Sequence, residues 1–149
     1  MDLRIIRAGV LVVLSVVMGI LSCSDDDRAI VPQNQTQAQI ETNVQEGTWR
    51  ISLFIDSGVD DTKDFAGYKF IFNPSKVLDS GNGVNNYMGT WSISGSNDDL
   101  DFNIFFNLTN DFEDLNDDWD FISNSASKIE LIDVSGGNGG TDFLTFEKN

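Results

Sequence analysis

Histidine is missing from all 149 residues, cysteine occurs once (Cys23), and proline occurs twice (Pro32 and Pro74). Without histidine there is no Ser-His-Asp or Cys-His nucleophile, no imidazole general base and no common zinc site. A single cysteine excludes an intrachain disulfide. Positive charge is also scarce, with nine Lys and Arg against 24 Asp and Glu, for a net charge of −15. Phosphate binding requires Lys and Arg to displace counterions, so this balance excludes nucleic acid as a partner. It equally opposes peripheral binding to anionic lipid and favours solubility. What the chain has instead is aromatic bulk, with eleven Phe, three Trp and two Tyr. That is the composition of a chain with a packed core rather than a disordered one.

The N-terminus is organised differently from the rest. Arg4 and Arg7 give a basic start, and residues 8–21 are apolar apart from Gly9, Ser15 and Gly19. A basic head, an apolar run and small residues at its end form the pattern of a secretory signal peptide. The run is short for a bilayer span, which needs roughly 20 residues. Ile20, Leu21 and Ser22 then lead directly into Cys23. This resembles the lipobox of bacterial lipoproteins, although Leu21 stands where a smaller residue is more usual. The resemblance implies cleavage before Cys23 and lipidation of its thiol, which also removes thiol catalysis and thiolate metal binding. More than one acyl chain makes such anchoring stable, because each buried methylene contributes about 0.8 kcal/mol. Ser24, Asp25, Asp26 and Asp27 follow. They resemble the acidic export signal of Bacteroidota lipoproteins, which implies display on the outer face of the outer membrane.

Residues 1–22 are therefore expected to be a lipoprotein signal peptide with a net charge of +1, whose removal leaves −16 on the remaining 127 residues. Residues 23–46 read as the lipidated cysteine and a disordered tether. Gln33, Gln35, Gln37 and Gln39 alternate with other small or polar residues and show no apolar period. Such a tract cannot offset its ordering entropy by burial, although the Gln run allows a short amphipathic turn.

From residue 47 to 149 the apolar residues recur every second position, the signature of half-buried strands. Trp49, Ile51, Leu53 and Ile55 form one row; Tyr68, Phe70 and Phe72 form another; Trp91 and Ile93 lie in a third; Leu100, Phe102, Ile104, Phe106 and Leu108 form the clearest. Further strands are expected near 76–79, 121–122, 129–134 and 141–147, with a glycine-rich hairpin loop at 136–140. Near 110–118 the rhythm changes to steps of three and four at Phe112, Leu115 and Trp119. Asn110 and Glu113 there suit a capping box, which predicts a short helix packed on the sheet over Phe105. About eight short strands joined by short turns predict an all-β fold, an antiparallel up-and-down meander closing into a small barrel.

Three short motifs add a family resemblance. Gly47-Thr48-Trp49, Gly67-Tyr68-Lys69-Phe70-Ile71-Phe72 and Gly89-Thr90-Trp91-Ser92-Ile93 look like the small lipocalin-like lipoprotein domains of Bacteroidota. The likeness covers about residues 47–148. It implies a lipocalin-like β-barrel with a ligand-binding role and no known substrate. The inward residues Trp49, Tyr68, Phe70, Trp91, Phe102 and Phe106 are then the candidate ligand contacts. Eight strands either fill with side chains or hold one small ligand. These side chains are large, so a filled core with at most a small apolar pocket at one mouth is expected.

No cofactor is implied, and catalytic residues are not assigned. Carboxylate pairs can hydrolyse glycosides, but a chain this acidic always has some pair close together. Asp56, Asp60, Asp61 and Asp64, and the acids between Asp111 and Asp120, could serve calcium, yet neither set has EF-hand spacing. The expectation is a non-enzymatic, lipid-anchored protein that binds a small apolar or amphipathic ligand. The alternative is an interaction module docking to another envelope protein or an extracellular glycan.

Overall fold

A computed structural model describes residues 35–96, 99–134 and 140–149 of the chain. The expected leader, Cys23, the Ser24–Asp27 export signal and most of the 136–140 loop lie outside the described residues. Among the described residues, nine strands form one antiparallel sheet: β1 Trp49–Asp56, β2 Val59–Asp60, β3 Lys69–Phe72, β4 Val77–Gly81, β5 Asn86–Ser96, β6 Asp99–Phe105, β7 Asp117–Asn124, β8 Lys128–Val134 and β9 Thr141–Lys148. Consecutive strands pair in order from β3 to β9, and β9 returns to β1 from Trp49↔Lys148 to Ile55↔Phe143. β1 also meets β3, so eight strands close into a barrel and β2 is a short extension on β1. The closed antiparallel barrel expected from the alternation is what the chain forms.

Large aromatic side chains line the inside. Trp49, Phe70, Phe72, Trp91, Phe102 and Phe146 are all buried. The rings of Phe70, Phe72, Trp91, Phe102 and Phe146 meet at centroid distances of 5.3–6.0 Å, for instance Phe72 with Phe102 at 5.3 Å and Trp91 with Phe102 at 6.0 Å. An eight-stranded barrel is just wide enough for side chains to fill it. Edge-to-face contacts such as Phe70–Phe146 suit the ring quadrupoles.

Both ends are plugged. At the end where β1 begins sits a helix, α1 Gln37–Gln45, within the tract expected to be a disordered tether. Thr36 and Gln39 form a reciprocal capping box, which satisfies two donors that the first turn would otherwise leave free. Ile40 and Val44, one turn apart, share the face that covers the barrel end, and both are buried. The indole N–H of Trp49 donates to the Val44 carbonyl at 2.9 Å, and Gln37 Nε2 donates to the Ile93 carbonyl at 3.0 Å. Lys76 and Glu41 add an ion pair at 2.8 Å. Burial of two aliphatic residues supplies what the polar Gln run lacks.

The opposite end is closed by Phe112. Its ring lies 4.7–6.0 Å from those of Phe65, Tyr68, Phe70, Tyr87 and Phe106. The expected helix near 110–118 is only a 3-10 turn, Glu113–Leu115, because β7 begins at Asp117 and takes Trp119 into the ladder opposite Phe102. Phe105 does not lie beneath it. Phe105 is 54 % exposed on the outer wall, while Phe112 and Leu115 turn into the mouth.

A second departure lies in β1. Its register on β9 slips between Ile51 and Leu53, leaving Ser52 as an extra residue. A bulge of this kind resets the alternation. Leu53, expected inside, is therefore exposed, and Phe54 is buried in its place. The paired Gly-Thr-Trp motifs also differ in role. Gly47 has φ +84°, a turn before the strand, whereas Gly89 sits within β5 where an added Cβ would lie 2.5 Å from the Phe105 carbonyl oxygen.

Candidate functional site

The barrel is weakest where β1 meets β3. The ladder there holds one pair, Trp49↔Phe70. Continuing that antiparallel register would set Arg50 opposite Lys69 and Ile51 opposite Tyr68, but neither pair forms. Instead the chain between β1 and β3 crosses the opening. Asp61 N–H donates to the Phe54 carbonyl at 3.0 Å, and Phe54 N–H donates to Thr62 Oγ1 at 2.8 Å. The 3-10 turn Thr62–Phe65 then drops Phe65 into the mouth against Phe54, at 5.4 Å between centroids. Gly67, with φ +82°, turns the chain back into β3.

The unzipped seam leaves a groove of about 420 Å³. That is within the ~300–1,000 Å³ range of small-molecule sites. Ile51, Phe65 and Tyr68 are buried side chains along its floor, and Ser52, Thr62 and Asn149 add polar atoms. Arg50, Lys63 and Lys69 stand around it. The described residues contain six cations, the others being Lys76, Lys128 and Lys148, so half of them border this one groove. Arg50 is bonded to Glu147 on the far side of β1. Lys63 pairs loosely with Asp61 at 3.5 Å. Lys69 has no ion-pair partner among the described residues.

The six candidate ligand contacts fall in two places. Trp49, Phe70, Trp91, Phe102 and Phe106 are 2 % exposed or less and pack within the barrel. Tyr68 is also buried, but it alone of the six lines the groove. Sequence reasoning missed Arg50, Lys63 and Lys69. The signal that could have found them was the rarity of cations, which gives weight to any three that converge.

A second cluster involves acids. Carboxylate oxygens of Asp99, Asp101 and Asp120 lie within 4.8 Å of one another on β6 and β7. Asp101 and Asp120 are directly opposed across the ladder, where like charges repel. Burial, then neighbouring carboxylates, raises both pKa values. Only Asp120 belongs to the acids marked by the sequence. Three carboxylates fall short of the six to eight oxygens calcium takes.

Among the described residues, no helix is long and apolar enough to cross a membrane. No protein-family model matches the chain, and comparison with curated proteins finds no similar sequence.

Proposed function

We propose that this chain is a cell-envelope lipoprotein, lipidated on Cys23 and displayed outward from the outer membrane, whose lipocalin-like barrel binds a small apolar or amphipathic ligand. The groove at the β1–β3 seam carries the ligand part. It has the volume of a ligand site, an apolar floor and polar atoms at its border. The aromatic interior is the scaffold that holds the floor rigid. No catalytic residue or cofactor enters this reading, and the acidic surface disfavours nucleic acid.

The anchor rests on the Ile20-Leu21-Ser22-Cys23 sequence and the acids after it. Cys23→Ala is expected to abolish incorporation of labelled fatty acid; retained label would refute lipidation. External protease is expected to remove the domain from intact cells. Replacing Asp25, Asp26 and Asp27 should keep the label but leave the domain protected. For the groove, mass spectrometry of protein purified natively from its own envelope should find a co-purifying small molecule. Ala66→Trp, which fills the groove from an exposed position, should eliminate that molecule without lowering the melting temperature.

One observation favours the alternative, an interaction module for an envelope protein or glycan. Ladder pairing places Ile71, Asp79 and Met88 in one row and Val77, Thr90 and Phe105 in the next. Ile71, Met88 and Phe105 are 41 %, 68 % and 54 % exposed on the outer wall, with the polar Asp79 and Thr90 set among them. Met88 and Phe105 are diagonal neighbours across the β5–β6 pair, and exposed apolar patches mark contact sites. A protein or glycan in place of a small molecule in the native preparation, lost on Phe105→Ser and Met88→Ser, would favour that reading.

A further inference from the structure

From the same groove we infer that the ligand is an organic anion: an apolar body lying on Ile51, Phe65 and Tyr68, with a carboxylate or similar head between Arg50 and Lys69. The inference rests on the groove being a ligand site and specifies the chemistry of what enters it.

The argument begins with the register. Arg50 and Lys69 occupy facing positions on two strands that do not pair there. Like charges directly opposed across an antiparallel pair are unfavourable, so the two residues do nothing to close the seam. An anion between them would convert that repulsion into two charge-assisted contacts. Arg50 is already held from behind by Glu147, which orients the guanidinium and leaves further donors on its fork. Lys69, with no acidic partner among the described residues, has its full charge available. Lys63 adds a third cation at the border, only loosely engaged by Asp61 at 3.5 Å.

The surroundings sharpen the selectivity. The chain carries −15 overall, so most of its surface repels anions. Concentrating three of the six described cations on one groove makes it the favourable place for a negative head. The edges of the floor, with Ala66 and the aliphatic stems of Lys63 and Lys69, supply apolar contact that an inorganic ion would leave unused. Hence the ligand is amphipathic rather than a bare phosphate or sulfate.

Two water-soluble probes with the same apolar body separate the possibilities. The full chain, purified in a neutral detergent, is titrated with 4-phenylbutyrate and with 4-phenylbutan-1-ol by calorimetry. The acid is expected to bind one to one and about tenfold tighter than the alcohol, the size of a charge-assisted contact. Lys69→Gln and Arg50→Gln should each erode that advantage, the double variant should erase it, and Lys69→Arg should retain it. Melting temperatures report whether the variants are folded, and Lys69→Gln breaks no ion pair among the described residues. Equal binding of acid and alcohol, both blocked by Ala66→Trp, would overturn the anion inference and leave the groove as a ligand site. Acid binding that survives the double variant would overturn the placement at Arg50 and Lys69. Failure of both probes to bind at millimolar concentration would overturn the inference together with the groove reading.

Discussion

Asp117 shows how a single side chain can set the pH behaviour of an acidic barrel. It sits half-buried at the start of β7, opposite Ile104. Burial, reinforced by the charges of Asp133 and Asp118, pushes its pKa from 3.8 to about 6, although the Asp118 N–H bound to its carboxylate at 2.8 Å works the other way. An acid whose pKa is raised by folding adds stability while it is protonated and loses that contribution as pH rises through the folded value. Asp101, Asp114 and Asp120 are shifted the same way, each chiefly by burial. Glu41, Asp60 and Glu130 are shifted down by hydrogen bonds from Lys76, Thr62 and Lys128, so their opposite contribution disappears only at lower pH. The protein should therefore melt at a higher temperature near pH 5 than near pH 7.5. Asp117→Asn should raise the melting temperature near pH 7.5 and narrow the difference between the two conditions. Calorimetry at both pH values checks this, and an unchanged difference would contradict it.

At the scale of the element, β1 is the instructive strand. Period-two alternation places Leu53 inside and Phe54 outside, and the bulge at Ser52 reverses them. Phe54→Ala should thus cost about 3–5 kcal/mol, as for a buried aromatic, because it also strips contacts from Phe65 and Trp119. Leu53→Asn should cost less than about 1 kcal/mol, despite its place in the apolar row. Urea midpoints for the two variants decide between the patterns, and the opposite ranking would deny the bulge. Helix α1 is the complementary case. Its capping residues Thr36 and Gln39, and the Ile40–Val44 spacing, were present in the sequence. They were obscured by the polar Gln run, and a helix of nine residues is marginal by itself. Two buried contacts on the barrel end, with the Trp49 indole bonded to Val44, make up the difference.

For the whole molecule, the question is how a barrel closes without zipping completely. β9 covers β1 along nearly its full length, whereas β3 touches it at one residue pair. The seam is also where the chain makes its largest detour, through β2 and the 3-10 turn Thr62–Phe65. Backbone amides with fewer ladder bonds exchange faster. Hydrogen exchange on the full chain should label residues 66–69 well before residues 143–146. Saturating 4-phenylbutyrate should slow the former and leave the latter alone. Uniform protection of both segments would mean the seam is closed in solution.

The strands, their antiparallel order and the aromatic interior were legible in the chain. Alternating large apolar residues at short turn-bounded intervals have few other ways to leave water. The absence of histidine and the rarity of cations narrowed the chemistry equally early. Local pattern could not reveal where the alternation slips, which tract is recruited as a plug, or that Arg50 would face Lys69 across an unpaired seam. Those depend on contacts between residues far apart in sequence: Ile51 and Leu53 against Phe146 and Thr145, Gln37 against Ile93 at the barrel end, and the single Trp49–Phe70 pair that sets the facing positions. Burial drives the first kind of feature residue by residue, whereas closing the sheet decides the second.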